Sequence, residues 1–545
     1  MPPGSEPFWS RCLGALALTV QYALIAMSMA VPSALVFGFF ASRAWWPSWP
    51  EGRPPTVSLR LLRYVLTGLF VVTRVLIAFL RSIHELLWAI LFLAAIGDFP
   101  FVACVALALP FGGTLAKVFA EIIDETPQNA RNTLSASGAR APQAFLAALI
   151  PRALPDLITY TLYRLECAVR SAAVLGFIGI ETIGLYINWS FENFYFGEVW
   201  TELYLLLATI IAIEAWGVAL RKRLNRPADS HIKPNLDGKS TPDKVTELRK
   251  ARPRSKFLRF SLIGVIVAVV GSWSLALYDD DRPFFGDASW ERRSKNLDRF
   301  LNKLVPKPVR ESGEWSDAGP WLEDLWENKG KEASVTTVAI SVVAILLSAA
   351  CTLLLIPLAS RVLTRARPFD LAGRAPPLII EFFWSALGWL VRIIFILTRA
   401  IPEYIYAFFL LFILGPTPMA LVYALAIHNL GILGRLWGEV VENAPDSTAR
   451  HLASRGARRA QIFTIAIFPS IFGRMVLYLF YRWETCVREA VVLGFLGLAT
   501  LGFHIQEARA FFKYDTMLVF VLIGATIIII GDLTSDLLRR WIRKV

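Results

Sequence analysis

The sequence lacks the signatures of several common protein classes. No Gly-x-x-x-x-Gly-Lys-Ser/Thr phosphate loop occurs in its 545 residues, so the chain does not bind ATP through that motif. Its five histidines are scattered, and its five cysteines lie in or beside apolar stretches. This pattern argues against a zinc motif and against a disulfide framework. No nucleophile and base occur in a catalytic arrangement, so we expect no metal site and no catalytic residues.

Charged residues are scarce and unevenly distributed. They make up 18% of the chain, whereas 55% of its residues are hydrophobic. Long runs with almost no charge recur, and most are long enough for the roughly 20 residues that a bilayer crossing needs. They predict an all-α, polytopic membrane protein rather than a β-barrel, whose segments would be short and alternating. The runs cover Leu13–Phe40, Phe99–Ala120, Trp200–Leu220, Leu258–Leu277, Val335–Leu358, Met419–Leu433 and Met517–Ile530.

The net charge of +13 could suggest a nucleic-acid partner, but the basic residues are concentrated between the hydrophobic runs. By the positive-inside rule such loops are cytoplasmic. We therefore expect no nucleic-acid partner, an N-terminus outside the membrane and a C-terminus inside. The loop after the first run and its counterpart in the second half carry Arg43, Arg53, Arg60 and Arg63, and Arg361, Arg365, Arg367 and Arg374, and the tail carries Arg543 and Lys544.

The dominant feature is an internal duplication. The stretch from Glu121 to Gly184 recurs 318 residues later without a gap, and a repeat of this kind decides the architecture before any local pattern does. The triplet Ala41–Arg43 recurs at the same offset as Ala359–Arg361, so the duplication begins at the first crossing.

The repeat predicts a domain organisation with about eleven transmembrane helices, five in each half and one extra. The first unit covers residues 10–220, a basic cytoplasmic linker 221–257, the extra helix with a periplasmic interfacial segment 258–333, and the second unit 334–545. Within the first unit, Leu157–Ile187 is interpreted as one crossing. Residues 60–97 are interpreted as an interfacial helix followed by a crossing that ends near Gly97, although whether residues 60–80 cross the membrane stays open.

Each half contains a polar segment of about thirty residues between two crossings. It has an acidic start at Glu121 or Glu439 and a central glycine at Gly138 or Gly456. Glycine permits a positive backbone angle between two short helices. An ordinary cytoplasmic loop is the simplest interpretation, but its occurrence in both halves favours a docking element for a symmetric partner.

A second repeated pattern places charges inside a crossing. Tyr163, Glu166 and Arg170 fall on one helical face, and the carboxylate can pair with the arginine four residues on. Because a charge deep in a bilayer costs at least about 2.5–3.5 kcal/mol, these groups must face protein or water. They either line a path for an oxyanion, which suits arginine forks, or pair the two halves. The full set is Tyr163, Arg164, Glu166 and Arg170 with Tyr481, Arg482, Glu484 and Arg488.

These motifs resemble those of ATP-binding-cassette importer permeases, and in particular phosphonate-importer permeases. The segment from Glu121 through Gly138 to Pro151 is similar to the coupling loop, a short helix that in this superfamily sits in a groove of the ATPase subunit. The Tyr-x-x-Tyr-Arg-x-Glu-x-x-x-Arg motif and the Arg81–Glu85 motif, which recurs as Arg399–Glu403, are similar to the phosphonate permeases. The resemblance covers nearly all of both halves.

The resemblance implies two tandem five-helix importer-permease units related by pseudo-twofold symmetry, in a bacterial cytoplasmic (inner) membrane. It implies two copies of a cytoplasmic ATPase subunit, which use the ATP, and a periplasmic substrate-binding protein; no cofactor is expected on this chain. The implied cargo is phosphonate or a related phosphorus oxyanion, and the sequence leaves open phosphite, hypophosphite and phosphate.

Two other functions remain as alternatives. A stand-alone secondary anion transporter with parallel internal repeats is the main one, since some secondary transporters have such repeats. A membrane-embedded enzyme is disfavoured by the missing catalytic arrangement.

Overall fold

The computed structural model describes residues 7–43, 57–224, 256–279, 282–286, 289–364, 378–498 and 500–542. All regular secondary structure in these ranges is helical, which confirms the prediction of an all-α protein. The α-helices of the first part of the chain are α1 (Phe8–Ala41), α2 (Val57–Ser82), α3 (Glu85–Ile96), α4 (Pro100–Glu125), α5 (Asn129–Ala136), α6 (Ala141–Ala144), α7 (Ile150–Val174), α8 (Ile183–Glu192), α9 (Phe196–Leu224) and α10 (Lys256–Leu277).

The second part of the chain repeats this order after an additional segment of short helices. Its helices are α11 (Trp290–Leu304), α12 (Lys307–Ser312), α13 (Ala318–Leu325), α14 (Lys331–Ala359), α15 (Leu378–Ala400), α16 (Glu403–Leu414), α17 (Pro418–Glu442), α18 (Ser447–Ser454), α19 (Arg459–Gln461), α20 (Phe468–Leu493), α21 (Leu501–Ala510) and α22 (Tyr514–Ile542).

Eleven helical stretches in the described residues are long and apolar enough to cross a membrane, which confirms the predicted number. They are Phe8–Ala41, Tyr64–Ser82, Pro100–Glu125, Phe145–Ile178, Phe196–Arg221, Lys256–Leu277, Trp315–Ala359, Leu378–Ala400, Pro418–Glu442, Arg459–Leu496 and Tyr514–Ser535.

Proline explains a turn of π-helix that both halves contain. One turn of π-helix, Phe145–Leu149 or Ile462–Ile467, leads into α7 or α20. Pro151 lies near the start of α7, and Pro469 at the same place in α20. A proline ring crowds the carbonyl four residues earlier and offers no N–H to it, and a locally wider turn relieves that clash.

The structure corrects the interpretation of residues 60–97. The stretch with the length and composition of a crossing is Tyr64–Ser82, whereas α3 has 12 residues and is too short to cross. Several valines of α2 are more than half exposed, including Val72 at 64%, as expected for a face in contact with lipid. Arg60 and Arg63, predicted to lie in a loop, fall within α2.

The crossing predicted for Leu157–Ile187 ends earlier in the chain than expected. Helix α7 passes into a 3₁₀ turn that ends at Ile178, the chain reverses at Gly179, and α8 begins at Ile183. A Cβ on Gly184 would overlap the carbonyl of Ala173. The close approach of α8 to α7 therefore requires glycine, and Gly502 has the same relation to the carbonyl of Val491 in the second half.

The contacts divide the chain into two compact units. Unit 1 contains residues 1–81 and 97–288, and unit 2 contains residues 82–96 and 289–545. The segment predicted as 258–333 is thus divided between the two units, because α10 belongs to unit 1 and α11 to unit 2. The predicted domain boundaries themselves stay a prediction.

In unit 1 the extra helix α10 packs on α1 through polar contacts. Gln21 Nε2 donates a hydrogen bond to the Ser272 carbonyl at 3.0 Å, and Trp273 Nε1 donates one to Ser28 Oγ at 2.9 Å. Beyond the end of α10, Arg282 lies 2.8 Å from Glu181. The extra helix is thereby joined to the turn between α7 and α8.

Glu181, in the turn between α7 and α8, has two partners in unit 1. Besides Arg282, it accepts a hydrogen bond from the Tyr186 hydroxyl at 3.0 Å. Burial and the neighbouring carboxylate raise the pKa of Tyr186 to about 12.

In unit 2 the segment that precedes α14 is held by one carboxylate of α21 and one of α22. Asp515 accepts a hydrogen bond from the Lys307 amide at 2.9 Å and one from Arg310 at 3.2 Å. Glu507 is contacted by His504 at 3.1 Å and by Lys329 at 3.0 Å. These hydrogen bonds lower the pKa of the Glu507 carboxyl.

In the sequence of α11 the apolar residues fall on one helical face, which predicts an amphipathic helix; they are Trp290, Leu297, Phe300, Leu301 and Leu304. The structure confirms the helix, and Phe300 is buried against the ring of Tyr514, with a centroid distance of 5.2 Å. Leu301 stays half exposed. This face thus packs in part on protein.

Several predicted basic segments lie outside the described residues. They are most of the linker 221–257, the loop residues Arg53, Arg365, Arg367 and Arg374, and the tail residues Arg543 and Lys544.

Candidate functional site

The first candidate site is the pair of segments that precede α7 and α20. Each contains one eight-residue helix, α5 or α18, and most of its residues are exposed. In α5 every residue from Asn132 to Ala136 is exposed, and in α18 Ala449 alone is fully buried. Each short helix therefore presents most of its surface outward from its own unit.

A left-handed glycine ends each of these short helices. Gly138 has φ of 89° and Gly456 has φ of 80°, which confirms the predicted positive backbone angle between two helices. The residue after each glycine donates a hydrogen bond to the carbonyl five positions earlier, the signature of the Schellman motif. These bonds join Ala139 to Leu134 and Ala457 to Leu452, both at 3.1 Å.

The acidic residues at the start of the segment have two different environments. Glu121 and Glu439 are exposed. Asp124, by contrast, accepts hydrogen bonds from Ser42 Oγ at 2.6 Å and from the amide of Arg43 at 2.8 Å. Its equivalent in unit 2 makes the same kind of contact, since Glu442 accepts from the amide of Arg361 at 3.2 Å.

An arginine from the second crossing completes this junction. The guanidinium of Arg74 donates to the carbonyl of Ala41 at 3.2 and 3.3 Å, and Arg392 donates to the carbonyl of Ala359 at 2.8 Å. The last carbonyls of a helix lack partners within the helix, and cations near this end are stabilising. The arginines that interrupt these apolar helices thus cap α1 and α14, the equivalent helices of the two copies.

The second candidate site is the charged face of α7 and of α20. Glu166 and Glu484 are buried, with 3% and 2% exposure. Arg170 lies 3.4 Å from Glu166, and Arg488 lies 3.1 Å from Glu484, so the predicted pairing four residues apart is present in both halves. Each buried carboxylate therefore has a cation on its own helix.

The tyrosines of this motif are less buried than the carboxylates. Tyr163 and Tyr481 are half-buried, and the ring of Tyr163 lies 6.0 Å from that of Tyr160. Their hydroxyl-bearing side chains thus stay partly accessible on the helices that carry the ion pairs.

The remaining motif arginine has different surroundings in the two units. In unit 1 the guanidinium of Arg164 lies over the ring of Phe111, 4.4 Å from its centroid. In unit 2 Arg482 donates to Asn429 Oδ1 at 2.6 and 2.8 Å and to Glu489 Oε1 at 3.0 Å. The amide of Asn429 also donates to Glu489 at 3.4 Å.

Sequence reasoning missed Asn429 and Glu489, although a signal was present. At the equivalent positions unit 1 has Phe111 and Ser171. A polar residue that replaces an apolar one within a crossing is costly unless it has a partner. Comparing the two copies position by position would have identified both residues as contacts of Arg482.

A further buried pair lies in unit 2. His428 Nε2 is 3.6 Å from Glu403, and His428 Nδ1 is 3.0 Å from the carbonyl of Ile401. Glu403 belongs to the motif that resembles Arg81–Glu85, so this motif contributes a buried carboxylate at the start of α16. His428 adjoins Asn429 in α17, which brings the motif close to the contacts of Arg482.

Comparison with known proteins assigns the family. The model described as the binding-protein-dependent transport system inner membrane component matches residues 19–226 and 377–544. The chain is 26% identical over 475 residues to the phosphate-import permease protein of Mycolicibacterium smegmatis, which covers 87% of this chain and 77% of that protein.

Two shorter relatives match at higher identity. A phosphite transport system permease protein of Stutzerimonas stutzeri is 30% identical over 224 residues, 41% of this chain and 74% of that protein. A protein of Escherichia coli named as a cryptic phosphonate transport system permease is 30% identical over 120 residues, 22% of this chain and 98% of that protein. The chain is thus a multi-pass membrane protein that contains the permease unit twice, and it belongs to the family of inner membrane components of binding-protein-dependent transport systems.

Proposed function

We propose that the two permease units of this chain form the membrane pathway of an ATP-driven importer for phosphonate or a related phosphorus oxyanion. The observation that carries the proposal is the family match in both halves together with the exposed helices α5 and α18 at equivalent positions. Relatives named for phosphate, phosphite and phosphonate transport support the class of cargo.

Each short helix would dock on one of two cytoplasmic ATPase subunits. Glu121 and Gly138 would belong to one docking surface, and Glu439 and Gly456 to the other. ATP is then used by the partner subunits, and their closure moves each short helix. The junctions at Asp124 and Glu442 link the docking segment to the end of the first helix of each unit, so a force on that segment reaches a crossing directly.

The arginines and tyrosines of α7 and α20 would contact the anion. A guanidinium offers planar, forked donors that match a tetrahedral oxyanion, and a half-buried tyrosine hydroxyl adds one more donor. Because Glu166 and Glu484 each bind an arginine, they would hold these donors in place and limit how tightly the anion binds. The same contacts would also serve to pair the two halves.

In this proposal the N-terminus is outside and the C-terminus is cytoplasmic. A periplasmic substrate-binding protein delivers the cargo to the external side. The extra helix α10 accounts for this topology, since two five-helix units that both begin outside need one additional crossing between them.

Purification of the full chain from its native membrane in mild detergent tests the proposal. Native mass spectrometry should find two ATPase subunits for each chain. ATPase activity of that complex should then rise with phosphonate, phosphite, hypophosphite or phosphate and not with sulfate, a tetrahedral control anion. A chain that is recovered alone and catalyses gradient-driven uptake in liposomes would instead establish a secondary transporter.

The arginine role has its own test in the same complex. Replacing Arg170 and Arg488 with lysine keeps the charge but removes the forked donors. We expect stimulation by the anion to require a higher concentration, with the number of bound ATPase subunits unchanged. If stimulation of the ATPase activity by the anion were unchanged, these arginines would serve only to pair the two halves.

A further inference from the structure

Unit 2 contains an apolar groove that the transport function does not explain. It has a volume of about 490 Å³ and is formed by the end of α14, the start of α15 and the π-helical turn before α20. The apolar side chains that line it include Leu353, Leu354, Leu358, Trp384, Phe463 and Phe468. Leu354 is 77% exposed, so the groove is open on the side that faces away from the unit.

One cation lies in this apolar groove. Among the described residues that line it, Arg459 alone carries a charge. Its guanidinium lies over the ring of Trp384, 3.9 Å from the centroid, and donates a hydrogen bond to the carbonyl of Leu363. Stacking on an aromatic ring together with a backbone hydrogen bond fixes the guanidinium in place, so the charge is built into the groove.

The position of Arg459 fits the boundary between lipid headgroups and acyl chains. It follows the polar segment that contains α18, and α20 begins nine residues later, at Phe468. Phe468 also lines the groove, so the groove extends for about two helical turns along the start of this crossing. That length accommodates a glycerol backbone and the first part of an acyl chain.

The site is specific to the second half. At the positions of Arg459 and Trp384 the first half has Ala141 and Leu66. Neither residue carries a charge or an aromatic ring, so the duplication does not by itself account for the pair. The cation and the ring that supports it both distinguish unit 2.

We propose that this groove binds one anionic glycerophospholipid, with its phosphate at Arg459 and an acyl chain along the leucine and phenylalanine side chains. An arginine donates charge-assisted hydrogen bonds to phosphate oxygens. Basic pockets between membrane helices on the cytoplasmic side bind anionic headgroups in this way. Lipid is the occupant that the site favours, because the open side of the groove is apolar and belongs to helices that cross the membrane.

The full chain in nanodiscs of phosphatidylcholine with about one tenth phosphatidylglycerol provides the test. After gentle detergent release, native mass spectrometry counts the lipids that each chain retains. We expect one phosphatidylglycerol to be retained, with at least a tenfold preference over phosphatidylcholine. Arg459→Gln should abolish this preference, whereas Arg455→Gln, an exposed arginine nearby, should keep it.

A second variant keeps the test informative if Arg459→Gln destabilises the chain. Thr464 lines the groove and is exposed, so Thr464→Trp should fill the groove while leaving Arg459 and Trp384 intact. Loss of the retained phosphatidylglycerol in this variant supports the proposal. Equal retention of both lipids by the unmodified chain, or an unchanged preference in Thr464→Trp, would overturn it and leave only boundary lipid or another occupant.

Discussion

The two left-handed glycines give the sharpest test of the docking segments. Gly138 and Gly456 have φ of 89° and 80°, a conformation that costs an L-amino acid about 1–2 kcal/mol and is a genuine outlier for a β-branched residue. A Cβ at either position meets nothing within 4 Å. Replacement by valine therefore strains the turn without creating a clash elsewhere in the chain.

The magnitude of the effect follows from this strain. A penalty of about 1–2 kcal/mol lowers the population of the native turn about 5- to 30-fold at each site. Because the strained turn follows directly after α5 or α18, the helix that would dock on the ATPase loses its fixed end. We expect Gly138→Val with Gly456→Val to reduce cargo-stimulated ATPase activity by at least that factor, while the membrane helices remain folded.

Co-purification of the ATPase subunits, cargo-stimulated ATPase activity and thermal unfolding are measured on the same preparations. Gly138→Asn is the graded comparison, since asparagine tolerates the left-handed region better than valine. Gly264→Val is the glycine control, because Gly264 lies in α10 and a Cβ there also meets nothing within 4 Å. Full cargo-stimulated ATPase activity of the valine double variant, with both ATPase subunits bound, would refute the docking role of the segments.

Three further predictions follow from the packing. Glu489→Ser, which introduces the residue of the first half, should lower the unfolding temperature more than Glu489→Gln, because serine removes one of the acceptors of the buried Arg482 whereas glutamine keeps a carbonyl oxygen there; equal melting temperatures would contradict this. Gly184→Ala should destabilise by about 1–3 kcal/mol through overpacking, whereas Gly197→Ala, where nothing lies within 4 Å of a Cβ, should not. Because its pKa is lowered, Glu507 should stabilise the fold above its unfolded-state pKa of about 4.3 and lose this contribution as the pH falls through the folded-state pKa. The difference in unfolding temperature between the unmodified chain and Glu507→Gln, worth less than about 1 kcal/mol for a partly exposed pair, should be present at pH 7 and decrease as the pH falls below about 4.3; a difference that stays constant or grows at lower pH would contradict it.

Local periodicity was sufficient for much of the fold. Apolar runs predicted the number of crossings, and spacing predicted the pairs of Glu166 with Arg170 and of Glu484 with Arg488. The glycine at position 138 predicted a positive backbone φ at that position, which the structure has. In each case the groups concerned lie within one or two helical turns of each other, so their spacing in the sequence is enough to predict their relative positions.

Contacts between distant segments could not be predicted in the same way. The hydrogen bonds of Asp124 to residues 42 and 43, and of Arg74 to the carbonyl of Ala41, join three helices, and nothing in a single sequence fixes which helix ends meet. The early end of the α7 crossing has the same origin, because the reversal after Ile178 depends on how closely α8 packs on α7.

The differences between the two copies bear on the proposed role of the motif arginines in anion binding. In unit 2 the charge of Arg482 is balanced by Glu489 at 3.0 Å, whereas the equivalent of that carboxylate in unit 1 is Ser171, which carries no charge. The two motif arginines therefore have different neighbours, although the helices that carry them share the same motif. A permease assembled from two identical chains would have to accept any such replacement in both copies. In a fused chain each half is encoded separately, so a carboxylate can restrain one guanidinium while its counterpart keeps an aromatic neighbour. Because the two guanidinium groups have different neighbours, we expect replacement of Arg164 and replacement of Arg482 to impair transport to different extents at matched protein stability, and equal transport rates in the two variants would contradict this.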